Sequence, residues 1–214
     1  MKSPMKSLKI YVKESIFDDV EDIANNDTIL IEQFLKDNYN IDGTYVINKD
    51  GTVDVKGNVC VKNKNIESLT NGLFRFGKVD RGFSCAYCTK LKSLKGAPEK
   101  VSVFDCSYCV NLTSLKGSPV KISKDFSCVG CKILTSLEGT PREVGRNFKC
   151  SYCINLISLK GSPEKVGGIF VCIYCKRLTS LKDAPEKIGR TVFCTGCNSI
   201  KITEQDRKKY NIED

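Results

Sequence analysis

The 214-residue sequence predicts a mainly β solenoid, in which short coils stack along one axis and share a parallel sheet. One pattern, F-x-C-x-x-C-x-x-L-x-S-L-x-G-x-P-x-x-V/I, recurs along the chain at an interval of 21 residues once and 22 thereafter. A fixed period of this size is typical of repeat architectures, whose units bury their apolar sides only against their neighbours. The six rows, of which the last is incomplete, begin at Phe83, Phe104, Phe126, Phe148, Phe170 and Val192.

Each row predicts one strand followed by turns. The F-x-C segment alternates with period two, so that Phe and the first Cys point the same way. The later Gly-x-Pro cannot lie within a regular helix, because Pro lacks an N–H group and Gly is entropically costly there. We therefore expect extended backbone or a single 3-10 turn on the convex side. Five of the six prolines occupy this register, at Pro98, Pro119, Pro141, Pro163 and Pro185.

The rows also resemble a known family. F-x-C-x-x-C-x-x-L is similar to the L-x-L-x-x-N/C-x-(x)-L segment of leucine-rich repeats, with the second Cys at the Asn/Cys position. The S-L-x-G-x-P-x-x-V tail resembles short repeats in proteins of large tailed bacteriophages and gut bacteria. Across residues 59–202, the resemblance implies a leucine-rich-repeat solenoid whose concave face carries the strands. It says little about function.

Residues 1–58 predict a small α+β cap made of helices and a β-hairpin. Residues 8–24 place apolar side chains three to four apart, which is typical of an amphipathic helix. Residues 26–40 predict a second helix with Asn26 or Asp27 as N-cap. A hairpin should follow, turning at residues 48–51. The second helix is expected to turn three side chains inward, namely Ile31, Phe34 and Leu35.

The two ends of the solenoid depart from the pattern, as terminal repeats must when they cover an open core. In a degenerate first coil, Val59 and Val61 replace Phe and Cys, and the inward set continues at Ile66, Leu69 and Val79. The solenoid, residues 59–202, thus comprises one degenerate coil and six others. Residues 203–214 should form a polar C-terminal cap or tail.

Twelve of the thirteen cysteines stand in the repeat, two per row. The spacing C-x-x-C-x18-C-x-x-C fits a zinc ribbon. A uniform column of inward thiols, however, gives no reason for rows to pair into tetrahedral sites, and free Cys is among the most buried residues. We therefore predict a packed cysteine ladder with no metal and no cofactor. Zinc, disulfides and redox chemistry remain as alternatives.

Charge and cysteine content bear on location and partners. Residues 1–58 carry 7 Lys/Arg and 11 Asp/Glu, whereas residues 59–214 carry 27 and 14. The basic body makes nucleic acid a possible partner, although solubilising lysines explain it as well. Thirteen thiols without a secretory signal favour a reducing compartment, and no apolar run is long enough for a membrane span. We expect a protein of the bacterial host cytoplasm, with virion association as the alternative.

A short N-terminal segment carries a second resemblance. Residues 5–15, MKSLKIYVKES, are similar to the head-targeting segments of internal proteins in T-even-type phages. That resemblance implies proteolytic cleavage after Glu14. An ordinary amphipathic helix explains the same residues.

The chain has no histidine, no nucleophile elbow and no glycine-rich phosphate loop, so we expect no enzyme activity. We predict instead that the strand-bearing face binds another protein, because its outward positions turn apolar in the later rows. Coverage of this patch by the N-terminal helices or by a sister subunit is the alternative. The predicted partner-binding residues are Lys149, Tyr152, Ile169, Val171, Ile173, Tyr174 and Phe193.

Two further readings stay open. A virion or virion-cargo protein would place its basic body against packaged DNA, and a zinc-ribbon array would bind nucleic acid. Two lysine columns on the convex side could follow a phosphate backbone, but Glu138 and Glu143 interrupt them, which favours a solvated face. A Tyr recurs before the second Cys and either contacts a partner or shields the ladder.

Overall fold

A helix and a hairpin open the part of the chain that the computed structural model describes, residues 26–212. The helix predicted over residues 8–24 and the segment around Glu14 lie outside it. The described chain is mainly β, with one 12-stranded sheet and a short helix near each end, so the predicted fold class is confirmed. The first elements are α1 (residues 26–38), β1 (Tyr39–Ile47), β2 (Thr52–Val61), β3 (Arg75–Ser84) and β4 (Lys100–Asp105).

After β4, each coil contributes two strands of two residues, and these strands form two parallel ladders. The first ladder contains β5 (Lys121–Ile122), β7 (Glu143–Val144), β9 (Lys165–Val166) and β11 (Lys187–Ile188). The second contains β6 (Phe126–Ser127), β8 (Phe148–Lys149), β10 (Phe170–Val171) and β12 (Val192–Phe193). α2 (Glu204–Tyr210) ends the described chain.

The two ladders separate after β4. β4 pairs with both β5 and β6, and its Val101 stands three positions before Phe104. In the next coil Ile122 stands four positions before Phe126, because the interval has grown from 21 to 22 residues there. β3 has the same four-residue spacing between Val79 and Phe83 and remains one strand, with an irregular register between Val79 and Gly82. Elsewhere each coil consists of turns and bends, and residues 26–212 contain no 3-10 helix.

The α+β cap packs on the first coil. α1 buries Ile31 and Leu35, and Phe34 meets Phe74 edge-on at 5.8 Å between ring centroids, so the three predicted inward side chains are confirmed. The N-cap prediction is wrong, because the helix already includes Asn26 and Asp27.

The hairpin turns where the sequence indicates, with the Gly51 N–H donating to the Asn48 carbonyl at 2.9 Å. Its second strand, β2, pairs antiparallel with β1 and parallel with β3. β2 therefore runs without a break through residues 58 and 59, and the hairpin and the first coil share one strand.

Stacked columns form the core. The five repeat phenylalanines are buried, and neighbouring ring centroids lie 5.0 to 5.8 Å apart. In the degenerate coil Val59 pairs with Phe83, and the other predicted inward residues of that coil are buried too. All twelve repeat cysteines are buried, whereas Cys60 is exposed. The register predicted from the sequence is confirmed.

The C-terminal segment covers part of the last coil. The Thr203 hydroxyl accepts the Asp206 N–H and the Asp206 carboxylate accepts the Thr203 N–H, so a capping box starts α2. Tyr210 is buried, and the Thr191 hydroxyl donates to the Asn211 carbonyl at 2.8 Å. Among the described residues, no helix combines the length and hydropathy that crossing a membrane requires.

Candidate functional site

The outward residues of the second ladder form one row along the solenoid. Successive members are paired in register across adjacent strands, from Ser84 at one end to Phe193 at the other. We call the surface that this row and its flanking residues form the strand face. Along the axis, the row reads Ser84, Asp105, Ser127, Lys149, Val171 and Phe193.

The early half of the strand face is polar, and its groups bond to one another. The Ser107 and Ser127 hydroxyls are 2.8 Å apart, and the Asp105 carboxylate accepts the Ser107 N–H at 2.9 Å. The Asp125 carboxylate accepts two hydrogen bonds from the Arg146 guanidinium, at 2.9 and 2.5 Å. These groups therefore have little hydrogen-bonding capacity left for a ligand.

The late half is apolar and contains all seven predicted partner-binding residues. Lys149, Val171 and Phe193 lie side by side, with Lys149 and Phe193 exposed and Val171 half-buried. Ile169 and Ile173 flank Val171 and are also half-buried, so the patch is less open than the pattern suggests. Tyr152 and Tyr174 stack at its edge with ring centroids 5.3 Å apart. Their role in binding remains a prediction.

The described helix α1 does not cover this patch. Its Phe34 contacts Tyr39 and Phe74, which belong to the N-terminal end of the solenoid. The patch lies at the opposite end, on β8, β10 and β12. One of the alternatives that the sequence left open, coverage by the second predicted helix, is therefore wrong.

The patch continues into a groove of about 610 Å³ between β12 and the C-terminal segment. Phe193 and Thr195 line it from the strand side, and Ile202 and Ile212 from the other. Sequence reasoning missed this groove, because it depends on where α2 docks. No motif encodes that position.

The open edge of β12 lies in the same groove. In the coil before, the N–H groups of Phe170, Cys172 and Tyr174 donate to carbonyls of the next coil at 2.8 to 3.1 Å. The equivalent N–H groups of Val192, Cys194 and Gly196 have no acceptor within residues 26–212. A strand edge with free donors is a template for pairing with another extended segment.

A tyrosine column borders the strand face, at the position before each second cysteine. Tyr87, Tyr108, Tyr152 and Tyr174 have φ between 55° and 64°, while Gly130 and Gly196 take this position in the other two coils. Positive φ is uncommon outside glycine and costs a residue with a Cβ atom about 1 kcal/mol or more. The sequence shows the recurrence of these tyrosines but not their backbone conformation.

The cysteines form a ladder of S–H···O=C hydrogen bonds. The second cysteine of a coil donates to the carbonyl oxygen of the first cysteine in the preceding coil. Five such bonds run along the solenoid at 2.9 to 3.3 Å, from Cys109, Cys131, Cys153, Cys175 and Cys197 to the carbonyls of Cys85, Cys106, Cys128, Cys150 and Cys172. The predicted cysteine ladder thus has a bonding role besides packing.

The environment of most of these thiols disfavours the thiolate; the exceptions are Cys109 and Cys197, whose pKa values are lowered by hydrogen bonding with Cys85 and Cys172. The neighbouring Cys109 thiol and burial hold the pKa of Cys85 well above its usual range, and Cys131 and burial do the same for Cys106. Burial raises the pKa of the Cys88 thiol to about 12. Metal ligation and nucleophilic attack both need thiolates. Within residues 26–212, no group of three or more Cys, Asp or Glu side chains is arranged to hold a metal ion.

Comparisons with known proteins add no relative. No family model matches the chain. Searches of curated proteins and of solved structures return no match either. The likeness to leucine-rich repeats therefore rests on the repeat residues themselves.

The lysine columns on the far side are interrupted by ion pairs. Glu138 contacts the Lys160 ammonium at 2.8 Å, and Glu143 lies 4.0 Å from Lys165. These are the two glutamates that break the columns in the sequence. Exposed pairs of this kind add little stability, but they neutralise the charge that a phosphate backbone would need.

Thiol labelling tests the register of the ladder. With a disulfide reagent at mildly alkaline pH, we expect one fast-reacting thiol per native chain, Cys60, and thirteen after unfolding. The reason is that burial keeps the other twelve inaccessible to the reagent. A Cys60→Ser variant should lose the fast phase. Several fast thiols in the native wild type, or fewer than thirteen on unfolding, would contradict the register.

Proposed function

We propose that the protein is a non-enzymatic interaction module of the short, cysteine-containing leucine-rich-repeat type, phage-encoded or phage-like. It binds another protein through the late half of its strand face. The apolar row from Val171 to Phe193, which opens into the groove beside β12, carries this proposal. Half-exposed apolar side chains next to unpaired backbone donors are what a protein segment recognises, and what a small polar substrate does not.

The contrast between the halves of the strand face supports a local site. Early polar groups bond to each other, whereas Phe193 keeps 44% of its surface exposed on the last strand of an ordered ladder. An aromatic side chain of this exposure costs solubility unless a partner covers it. Aromatic residues in such positions typically contribute most of the binding free energy at an interface.

The proposal includes no enzyme site because of the chemistry of the side chains. The chain contains no histidine, so the usual general base near neutral pH is missing. The repeat thiols are buried, and the pKa values of Cys85, Cys88 and Cys106 are raised. This environment suits packing better than nucleophilic catalysis.

The test is a pull-down from phage-infected bacterial lysate. A double variant with Val171→Asp and Phe193→Asp should recover at least tenfold less partner than wild type, because buried hot-spot residues are typically worth about 2 kcal/mol or more each. The matched control, Ser84→Asp with Ser127→Asp, places the same two charges in the same row of the early half.

Circular dichroism and thermal melting must show that both double variants keep the fold. Partner recovery should fall for the late-half variant alone. Equal recovery with both variants and wild type, or equal loss with both variants, would refute the proposed site.

A further inference from the structure

The tyrosine column repeats as two identical units of three coils. In chain order the column reads Tyr87, Tyr108, Gly130, Tyr152, Tyr174 and Gly196. Tyr87 stacks on Tyr108 with ring centroids 4.8 Å apart and an interplanar angle of 8°, and Tyr152 stacks on Tyr174 at 5.3 Å and 20°. Each unit thus contains two stacked rings followed by a glycine.

The glycines accommodate the second ring of each pair. A Cβ atom on Gly130 would lie 2.6 Å from the Tyr108 ring, and one on Gly196 would lie 2.5 Å from the Tyr174 ring. The rings therefore lean towards the following coil, and each pair rests on a glycine. Because Gly closes this turn without strain, the chain does not need tyrosines to form it.

The leading ring of each pair keeps one open face. Tyr87 is 57% exposed and Tyr152 48% exposed; of the second rings, Tyr108 is half-buried between its partner and Gly130, and Tyr174, near the end of the solenoid, is 44% exposed. The open face of Tyr152 looks into the coil of Gly130, which has no ring at this position. The open face of Tyr87 looks towards Asn63, whose side chain is bonded to Asn38 instead.

The gap at Gly130 has the size of one planar group. Tyr108 and Tyr152 are two coils apart, which is about 10 Å at ~4.8 Å per coil. Stacked aromatic rings are separated by ~4.5 Å or more between centroids, so one further ring between these tyrosines would complete the stack. A planar ligand can therefore take the place of the missing ring.

The charge around the column identifies the kind of planar group. The column lies on the side of each coil between the first Cys and the glycine of the next turn. Around the column, residues 85–93, 106–114, 128–136, 150–158 and 172–180 carry five Lys/Arg and no Asp/Glu, whereas Lys95, Lys116, Lys160 and Lys182, which follow them, belong to a lysine column on the far side. Residues 97–105, 118–127, 140–149, 162–171 and 184–193 of the same coils carry nine Lys/Arg and six Asp/Glu.

Lysines also stand near the column in space or in sequence. The Lys64 ammonium donates to the Ala86 carbonyl at 2.9 Å, next to Tyr87, and Lys132 follows Gly130 by two residues. A guanidinium would be repelled here, and a neutral aromatic side chain would gain nothing from the lysines. Aromatic faces within a basic surface are instead the combination that binds single-stranded nucleic acid.

We propose that the tyrosine column binds single-stranded nucleic acid, with bases stacked on the open faces of Tyr87 and Tyr152 and phosphates beside the flanking lysines. The two faces are three coils apart, or about 14 Å, and the Tyr87/Tyr108 stack lies between them, so a strand that reaches both faces must pass outside this pair. The second contact of such a strand is intramolecular. Tyr152 also stands at the edge of the proposed protein site, but this binding does not use Val171 or Phe193 and does not depend on the protein partner.

Fluorescence anisotropy with labelled single-stranded ten-mers of DNA and RNA tests the proposal. The decisive variant combines Tyr87→Gly and Tyr152→Gly, because Gly already occupies this position in two coils and suits the positive φ. We expect at least a tenfold loss of affinity, since each stacked base contributes substantially to single-strand binding. Tyr45→Ala, which removes an exposed ring outside the column, should leave affinity unchanged.

Further measurements distinguish this proposal from alternative explanations. A mononucleotide should bind much more weakly than the ten-mer, and affinity should fall as salt rises from about 50 to 200 mM. Val171→Asp with Phe193→Asp should bind the ten-mer as wild type does, so the two proposals can fail independently. Ten-mer affinity unchanged by the double Gly variant, equal affinity for duplex DNA, or tyrosine-dependent binding of an aromatic peptide in place of the ten-mer would overturn the proposal.

Discussion

Replacing Gly139 with Ala is expected to lower the free energy of unfolding by about 3 kcal/mol, whereas Gly72→Ala should cost about 1 kcal/mol. The two glycines have nearly the same backbone conformation, with φ of +99° and +97°. They differ in their surroundings. A Cβ atom on Gly139 would lie 2.3 Å from the Lys116 nitrogen and 2.4 Å from the Leu115 carbonyl carbon, while nothing lies within 4 Å of one on Gly72.

The difference between these variants measures how tightly the coils stack. Both variants lose stability because a residue with a Cβ atom must adopt a positive φ. Gly139→Ala must in addition push its coil away from the backbone of the preceding one, which stretches the Leu115 N–H bond to the Glu138 carbonyl. Backbone cannot yield as a flexible side chain does, so the extra cost is about 2 kcal/mol.

Denaturant unfolding followed by circular dichroism gives both free energies. Equal losses for the two variants would mean that the solenoid adjusts its pitch at Gly139. In that case Gly139 would serve only to permit the turn. Because a solenoid couples each coil mainly to its neighbours, the slope of the transition must also be compared between variants.

The core could be predicted from the sequence because every coil repeats the same choices. Phe126 and Cys128 alternate with outward residues, and the same alternation recurs in each row, so one register explains all of them. Even the degenerate coil obeyed it, since Val59 and Val61 are apolar at the matching positions and are buried. Repetition thus supplied evidence that a single strand would not.

Features that depend on how one coil packs against the next were harder to predict from the sequence. The two ladders separate after β4, and the sequence shows only a change of period there; the four-residue spacing from Ile122 to Phe126 also occurs from Val79 to Phe83 within the unbroken strand β3. Positive φ at Tyr87 contradicts the residue's own preference and follows from the shape of the coil. Local propensity cannot reveal a conformation that tertiary packing imposes.

The sequence predicted where the candidate site lies, but not how far its side chains are buried or that it opens into a groove. Alternation correctly placed Val171 and Phe193 side by side and facing outward. It could not show that neighbouring side chains leave Val171 half-buried, or that the patch opens into a groove. The groove exists because Tyr210 docks on the last coil from a helix whose position no repeat specifies.

The cysteine ladder allows a second large stability effect to be tested. Cys153→Ala is expected to lower the free energy of unfolding by about 2 kcal/mol, and Cys88→Ala by about 1 kcal/mol. Both side chains are fully buried. Cys153 donates to the Cys128 carbonyl at 3.2 Å, whereas Cys88, the first of its column, has only a 4.0 Å contact with the Ala86 carbonyl.

Both variants lose the burial of one thiol, so the difference reports the hydrogen bond. Without the Cys153 thiol, the Cys128 carbonyl keeps only the long bond from the Cys131 N–H, at 3.4 Å. A buried carbonyl that loses a donor costs about 1 kcal/mol or more.

Serine variants sharpen the comparison between packing and bonding. Cys153→Ser retains a donor near the Cys128 carbonyl and should be more stable than Cys153→Ala. At position 88, Ser should give no such advantage over Ala, because its hydroxyl would be buried without an acceptor in reach. Denaturant unfolding of the four variants decides the question. If Ser and Ala rank the same way at both positions, the thiols stabilise the solenoid by volume alone.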